Sequence, residues 1–253
     1  MLWEVELLIS SKCKIDKKIS FRAEKGNYDP FFSKISIDNY YNSLSISIQA
    51  KADSEEDAID AGFYFIGQAL NYLSWKTKSP FELYKQLEPA QLRKKTNARQ
   101  ILNRETWEKA FRFGREVHIN MPKLAMSLGW YRKSLNSEDP IDSFLSRWLV
   151  LELLCNEIRL TIPEIIQEKN NDNNNGSFKG KIFYQIKQKL LELNINFDFD
   201  KLYNIKQRRN DIAHGSFIIN DIGIIKDIIE MNNEIEPIAY KLLTNEIRNN
   251  EYI

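Results

Sequence analysis

Arg209 and His214 are separated by four residues, with Asn210 directly after the arginine and Gly215 directly after the histidine. Histidine is the side chain whose ordinary titration lies near neutrality, so it can take or give a proton at physiological pH. The arginine fork is always charged and suits the negative charge that develops on phosphoryl oxygens. Such a pair can move a proton beside a developing negative charge. The chain holds only two histidines, and the other, His118, follows Arg112 with five residues between. That second pair carries no asparagine after its arginine and has Gly114 between its members. It also lies ahead of the helix-rich part of the chain, so Arg209 and His214 are the stronger candidates.

Helical geometry constrains how they work. Positions five apart on a helix lie about 140° apart around its axis, so Arg209 and His214 do not share one face, whereas Asn210 and His214 do. Gly215 suits the position just past a helix end, where a left-handed backbone is wanted, and that puts His214 in the last turn. A twofold partner would supply the complementary face, which predicts a homodimer with a composite site.

A carboxylate on an earlier segment belongs to the same constellation. Asp139 and Pro140 form a helix start, and Ile141, Leu145, Trp148 and Cys155 follow as an apolar stripe in which Glu152 takes an apolar slot. An inward charge is costly unless it is paired. Glu152 is expected to meet Arg209 or His214 and orient it, or else to meet Arg147, Arg159 or solvent.

The run Arg209-Asn210-Asp211-Ile212-Ala213-His214, late in a helical region, resembles the R-x4-H signature of HEPN ribonucleases, which occur in toxin, antiphage and CRISPR-associated modules. The likeness covers the C-terminal half. Trp130-Tyr131-Arg132, Asp139-Pro140 and Arg147-Trp148 also resemble the first two helices of the ApeA-like and MauJ-like branches. The resemblance implies an all-α bundle and a metal-independent endoribonuclease with no cofactor, in which an RNA 2′-hydroxyl attacks its adjacent phosphate to leave a 2′,3′-cyclic phosphate. It implies His214 as general base or acid, Arg209 as phosphate stabiliser, and Asn210 and Glu152 in support. It further implies a toxin or defence setting in which an antitoxin, a defence-system partner or a phage trigger acts on the protein. A HEPN-fold module that binds RNA or protein without cutting is the rival of a different class.

Basic residues near the motif, Lys201, Lys206, Arg208 and Arg209, offer phosphate contacts, and Lys206, Arg208 and Asp211 are taken as substrate-contacting residues. Lys179, Lys181, Lys187 and Lys189 precede them, and Arg93, Lys94, Lys95 and Arg99 form another cluster. The first group reads at least as well as a solvated helix face, and the second, which could extend an RNA path, reads better as one. Glycine-rich phosphate loops, zinc-ligand spacings and a G-x-S-x-G elbow are lacking from the sequence.

Elements to hold this chemistry can be read from periodicity. The 253 residues are 43% apolar with a formal charge of +1, so nucleic-acid affinity must come from local patches rather than the whole-molecule field. Leu2 to Ile9 and Ser43 to Ala50 alternate as half-buried strands, with Lys18 to Arg22 and Phe32 to Asp38 as weaker ones around turns at Lys25-Gly26-Asn27 and Asp29-Pro30. Ser54 is an N-cap with Asp57 at N3, and Ala58, Ala61, Phe65, Ala69 and Tyr72 repeat at helical spacing up to Trp75. Phe81 to Leu87 and Arg99 to Phe113 read as helices, punctuated by Pro80, Pro89 and Gly114. A small antiparallel sheet with helices is therefore expected over residues 1 to 120, an α+β domain with a sensing or target-recognition role. An all-α bundle follows from a boundary near Met121-Pro122, with helices at Leu124–Leu135, Pro140–Glu164, Phe178–Asn194, Phe199–His214 and Asn220–Ile247. Pro237 should kink or split the last, and Asn170 to Asn175 with Gly176 read as a flexible loop. Cys13 and Cys155 fit buried, reduced thiols. The absence of a cleavable leader and of a long apolar run predicts a cytoplasmic protein without membrane contact.

Overall fold

The computed structural model describes residues 2–22, 32–84, 100–174, 180–215 and 222–250. The chain divides into two units, Met1–Asn136 and Ser137–Ile253. In the first, strands β1 (Leu2–Ser11), β3 (Ile19–Arg22), β4 (Phe32–Tyr40), β5 (Ser43–Lys51) and β6 (Phe81–Tyr84) make a five-stranded antiparallel sheet in the order β3-β4-β5-β1-β6. The alternation read from the sequence sets its register. Val5, Leu7 and Ile9 lie opposite Ile48, Ile46 and Leu44, and all six are buried, while Glu4 and Glu6 face Gln49 and Ser47 on the other side. Helix α1 (Glu55–Thr77) covers the apolar face, capped as expected by Ser54, whose Oγ accepts from the Asp57 amide at 3.1 Å. Gly62 lets it sit close, since a Cβ there would lie 3.3 Å from Val5 and 3.4 Å from Ile48.

Three expectations for this unit change. Phe81–Tyr84 is a strand, not the start of a helix over Phe81 to Leu87. Its pairing with Leu8–Ser11 buries Phe81 completely, and cross-strand hydrogen bonding overrides local helical propensity. The helix expected from Arg99 begins later. Gln100–Leu102 (β7) pairs in parallel with Cys13–Ile15 (β2), and α2 (Arg104–Asn120) starts behind Asn103, whose Oδ1 accepts from Thr106 N at 2.9 Å. Gly114 does not interrupt α2. It is the close-crossing point with α1, where a Cβ would come within 2.8 Å of the Gln68 backbone. The turns expected at Lys25-Gly26-Asn27 and Asp29-Pro30, the punctuation at Pro89 and the cluster Arg93, Lys94, Lys95 and Arg99 lie outside the described residues.

The unit also runs past Met121-Pro122. Helix α3 (Pro122–Asn136) belongs to it: Arg132 Nη1 donates to Gly67 O of α1 at 3.2 Å, and Asn136 Nδ2 donates to Phe81 O at 2.9 Å.

The second unit is all helical among the described residues: α4 (Pro140–Cys155), α5 (Pro163–Asn174), α6 (Lys181–Glu192), α7 (Phe199–Ala213) and α8 (Ile222–Asn249). Phe144, Trp148, Leu151, Phe183, Ile186, Leu190, Leu202, Ile205, Ile228 and Ile235 form its core. Burying each such side chain contributes about 1.5–3 kcal/mol before entropy is counted. The single helix expected over Pro140 to Glu164 is two: α4 ends at Cys155 with Asn156 as its C-cap, and Pro163, which fits the first turn of a helix, opens α5. Buried glutamines satisfy the link between them. Gln185 Nε2 donates to the carbonyls of Asn156 and Ile158 at 2.7 and 2.9 Å, and Gln188 Oε1 accepts from Thr161 N at 2.7 Å. The asparagine run is helical through Asn174 rather than a loop, and α8 continues through Pro237 unsplit.

Candidate active site

Two capped helices bring the candidate residues together. Asp139 caps α4, accepting from the amides of Ile141 and Asp142 at 2.7 and 3.2 Å, with Pro140 in the first turn. Asp198 caps α7 in the same way, through the amides of Asp200 and Lys201 at 2.9 and 3.3 Å. Leu202 and Ile205 bury one face of α7, and Arg209 extends from its last turn towards α4.

There Glu152 is held from two sides. Trp148 Nε1 donates to Glu152 Oε1 at 2.7 Å, and Arg209 Nη2 lies 3.1 Å from each carboxylate oxygen. The acid side chain is 22% exposed and the guanidinium side chain 28%, so the pair sits at the rim of the bundle rather than in its core. Of the partners open to Glu152, the structure selects Arg209, not Arg147, Arg159 or His214. Arg209 Nη1 also donates to Asn210 Oδ1 at 3.3 Å, which makes the line Trp148, Glu152, Arg209, Asn210 continuous. A hydrogen bond to a charged group is stronger than a neutral one, and a rim location leaves the guanidinium edge within reach of a solute.

His214 is the C-cap of α7. Its amide donates to Asn210 O at 2.9 Å, and Gly215 follows at φ +67°, the left-handed turn expected of it. The imidazole is exposed and makes no hydrogen bond among the described residues. The helix end therefore presents an anchored arginine, an asparagine and a solvent-facing imidazole.

The other site residues fare unevenly. Arg208 Nη2 lies 3.5 Å from Asp227 Oδ2. Lys206 is buried, 6% exposed, with its Nζ 5.6 Å from the Tyr203 ring centre, so it does not stand on the surface as a phosphate grip. Asp211 is half-exposed on α7 without a hydrogen bond among the described residues. Two further lysines are paired as well: Lys187 of α6 with Glu168, and Lys201 in the first turn of α7 with Glu234 at 2.6 Å, a contact that raises the lysine above its ordinary range. Lys179 lies outside the described residues.

Arg147, singled out in the sequence beside Trp148, is a different kind of group. It is 6% exposed, with Nη2 3.0 Å from Glu236 Oε2 and Nη1 donating to Asn232 O at 3.2 Å, and it joins α4 to α8 inside the bundle. The sequence places Trp148 in an apolar stripe and in the Arg147-Trp148 likeness but not as a partner of Glu152; its spacing four before Glu152 is the signal that it could hold that carboxylate. Arg112 and His118 are both exposed on one unbroken helix, six positions and about 120° apart, and His118 packs edge-on against Tyr64 at 4.9 Å, with no carboxylate of another helix holding Arg112 among the described residues. They do not converge.

A cleft of about 510 Å³ lies at the other end of α7, lined by Phe197, Asp198, Lys201, Glu234, Pro237 and Lys241 among others. It is separate from the Arg209 cluster. Among the described residues no three His, Cys, Asp or Glu side chains lie close enough to hold a metal ion, and no helix is long and apolar enough to cross a membrane. Compared with protein-family models, with curated proteins and with solved structures, the chain finds no match in any of the three.

Proposed function

We propose that the second unit is a HEPN-type endoribonuclease that cuts RNA without a metal. The observation that carries this reading is the Glu152–Arg209 pair linking α4 to the end of α7, with Asn210 beside it and His214 exposed five positions on. In this reaction the 2′-oxygen forms a bond to phosphorus and the bond to the 5′-oxygen breaks. His214 removes the 2′-hydroxyl proton or protonates the departing 5′-oxygen, and Arg209 meets the charge on the non-bridging oxygens. One imidazole does one of these jobs at a time, so a second copy of the chain supplies the other, which makes the active species a homodimer. A toxin or defence setting, acting in the cytoplasm on cellular RNA under control of an antitoxin or an invader-derived trigger, is the biological context proposed with it.

The test is to incubate the purified chain with total RNA in EDTA beside His214→Ala and Arg209→Ala. Cleavage by the parent, with 2′,3′-cyclic phosphate ends and a loss of at least about a hundred-fold in either variant, is expected. Equal cleavage by parent and His214→Ala, or none by the parent, overturns it. A strict monomer by light scattering at micromolar concentration removes the two-chain site.

A second reading has one observation in its favour: Arg209 is already neutralised within its own chain. A HEPN-fold module that binds RNA or protein without cutting would leave it so. It predicts RNA retention by the parent with no new ends.

A further inference from the structure

Leu202, Ile205 and Arg209 turn one side of α7 to the bundle, and another side carries a line of uncharged polar groups that leads to His214. Tyr203, Gln207, Asn210 and His214 are spaced four, three and four apart and fall within about 60° of one another around the helix. The first three are half-buried and His214 is exposed. Their own contacts set their order: Gln207 Nε2 donates to Tyr203 Oη at 2.6 Å, and Asn210 Oδ1 accepts from Arg209 Nη1 at 3.3 Å. Tyr203 is in turn set edge-on against Phe183 of α6, with ring centres 6.0 Å apart.

Gln207 and His214, seven positions apart, differ by only about 20° around the axis and about 10 Å along it. Going round α7 from Arg209, Asn210 stands about 100° on, His214 about 140°, Gln207 about 160° and Asp211 about 200°. A phosphate shared by Arg209 and His214 therefore lies over Asn210, away from the Asp211 carboxylate. A ribose and base attached to it can run back along the axis to Gln207. The cations of the same helix are engaged elsewhere, Arg208 beside Asp227 and Lys201 beside Glu234, with Lys206 buried. Phosphate contacts supply affinity without sequence information, whereas carboxamides read base edges. Recognition at this end of α7 is weighted towards the base.

We propose that Gln207 is a specificity-determining residue that reads the base beside the scissile phosphate and takes adenine there. Tyr203 Oη occupies one N–H of the carboxamide and fixes its plane. The second N–H and Oε1 are left side by side without a partner among the described residues. Adenine answers that pair, its N7 accepting and its N6 amino group donating. The proposal rests on the ribonuclease reading for its choice of RNA and adds to it a base preference.

The test maps the ends that the full chain produces from a mixed-sequence RNA in EDTA. The parent cuts beside adenine in preference to the other bases, and Gln207→Leu, which removes both polar groups, flattens that preference on the order of ten-fold. Gln207→Glu keeps an acceptor for the adenine amino group and for the Tyr203 hydroxyl but sets a second acceptor against N7, so it loses the preference as well. Because the readout is a ratio between sites cut in one sample, a fall in the folded fraction does not move it. In parallel, each substitution is placed in a His214→Ala chain and titrated into labelled oligoadenylate and oligouridylate, followed by fluorescence anisotropy. The preference for oligoadenylate disappears with Gln207. Cutting without preference for adenine, or with the same preference in both variants, overturns the base reading and leaves the nuclease standing. Oligoadenylate held through Gln207 by a wild-type chain that never cuts sinks the nuclease reading and leaves the base reading standing. Neither binding nor cutting by the parent overturns both.

Discussion

Arg147 and Arg209 are two arginines of one helical unit that meet glutamates at similar distances, 3.0 Å to Glu236 and 3.1 Å to Glu152, yet they sit at different depths. The Arg147 side chain is 8% exposed and joins α4 to α8, where Asn232 also donates to Ser143 Oγ at 3.1 Å. The Arg209 side chain is 28% exposed and joins α4 to the fraying end of α7. A buried cation cannot release its partner without leaving an unpaired charge in the core, so it can only hold the bundle together. A rim cation retains access to water and can trade part of its contact for a phosphate. Distance does not separate structure from function in this pair; depth does.

The largest effect should come from breaking the deep seam. Arg147→Ala empties the buried volume of the side chain and strips the Asn232 carbonyl of its donor, while Glu236, 36% exposed, stays solvated; the lost packing and the orphaned carbonyl should together cost about 3 kcal/mol of stability, read as a fall in the denaturant midpoint. Cleavage per folded molecule should be unchanged. Arg209→Ala should do the opposite, abolishing cleavage with a stability loss under about 1 kcal/mol. If the two substitutions cost the same stability, depth is not what distinguishes them.

A thiol gives a second view of the same seam. Cys155 at the end of α4 is fully buried, and burial pushes its thiol up to about 12. A raised acid is stabilising below its unfolded value and loses that stabilisation as pH rises through its folded one. Native protein should therefore resist iodoacetamide at Cys155 at pH 8, labelling only when the unit opens. Arg147→Ala should speed labelling roughly a hundred-fold, the factor that about 3 kcal/mol represents, and Arg209→Ala should leave it within a few-fold.

These depths were only partly legible in the sequence. The alternation of Val5, Leu7 and Ile9 fixes one buried face by period alone, and Ser54, Asp139 and Gly215 mark helix ends by chemistry that acts within a few residues. Glu152 was visible because a carboxylate in an apolar stripe demands a partner. Phe81–Tyr84 was not legible as a strand, because its pairing strand is some seventy residues away in sequence. The membership of α3 in the first unit depends on Arg132 reaching Gly67 and Asn136 reaching Phe81. Arg147 and Arg209 are alike to any local reading, since burial is decided by which helix lies opposite. Pro163 was a readable signal passed over.

Trp148→Phe tests how far the rim site borrows from the core. The indole is fully buried while its Nε1 supports the half-exposed Glu152. Phenylalanine keeps most of the packing and removes the donor, at an expected cost of about 1–2 kcal/mol in stability. Freed on that side, Glu152 should hold Arg209 less well, and cleavage should fall several-fold. Unchanged cleavage would mean that Arg209 alone fixes the carboxylate.

The smallest stability effect and the sharpest division belong to Glu152→Gln. The amide keeps the shape and an acceptor for Trp148, but it gives up the charge facing Arg209, and at this exposure the loss should stay under about 1 kcal/mol. Its effect on the reaction has two possible signs. If Glu152 orients the guanidinium, the variant lets Arg209 swing, and cleavage falls about ten-fold with little change in RNA affinity. If Glu152 instead competes with the substrate phosphate, the variant binds RNA more tightly and cleaves at least as fast. The two-point approach of Nη2, 3.1 Å from each carboxylate oxygen, leaves Nε and the other amino group pointing away from Glu152. Because the carboxylate engages a single amino group of the fork, while Nη1 turns to Asn210 Oδ1 at 3.3 Å, we expect the first outcome.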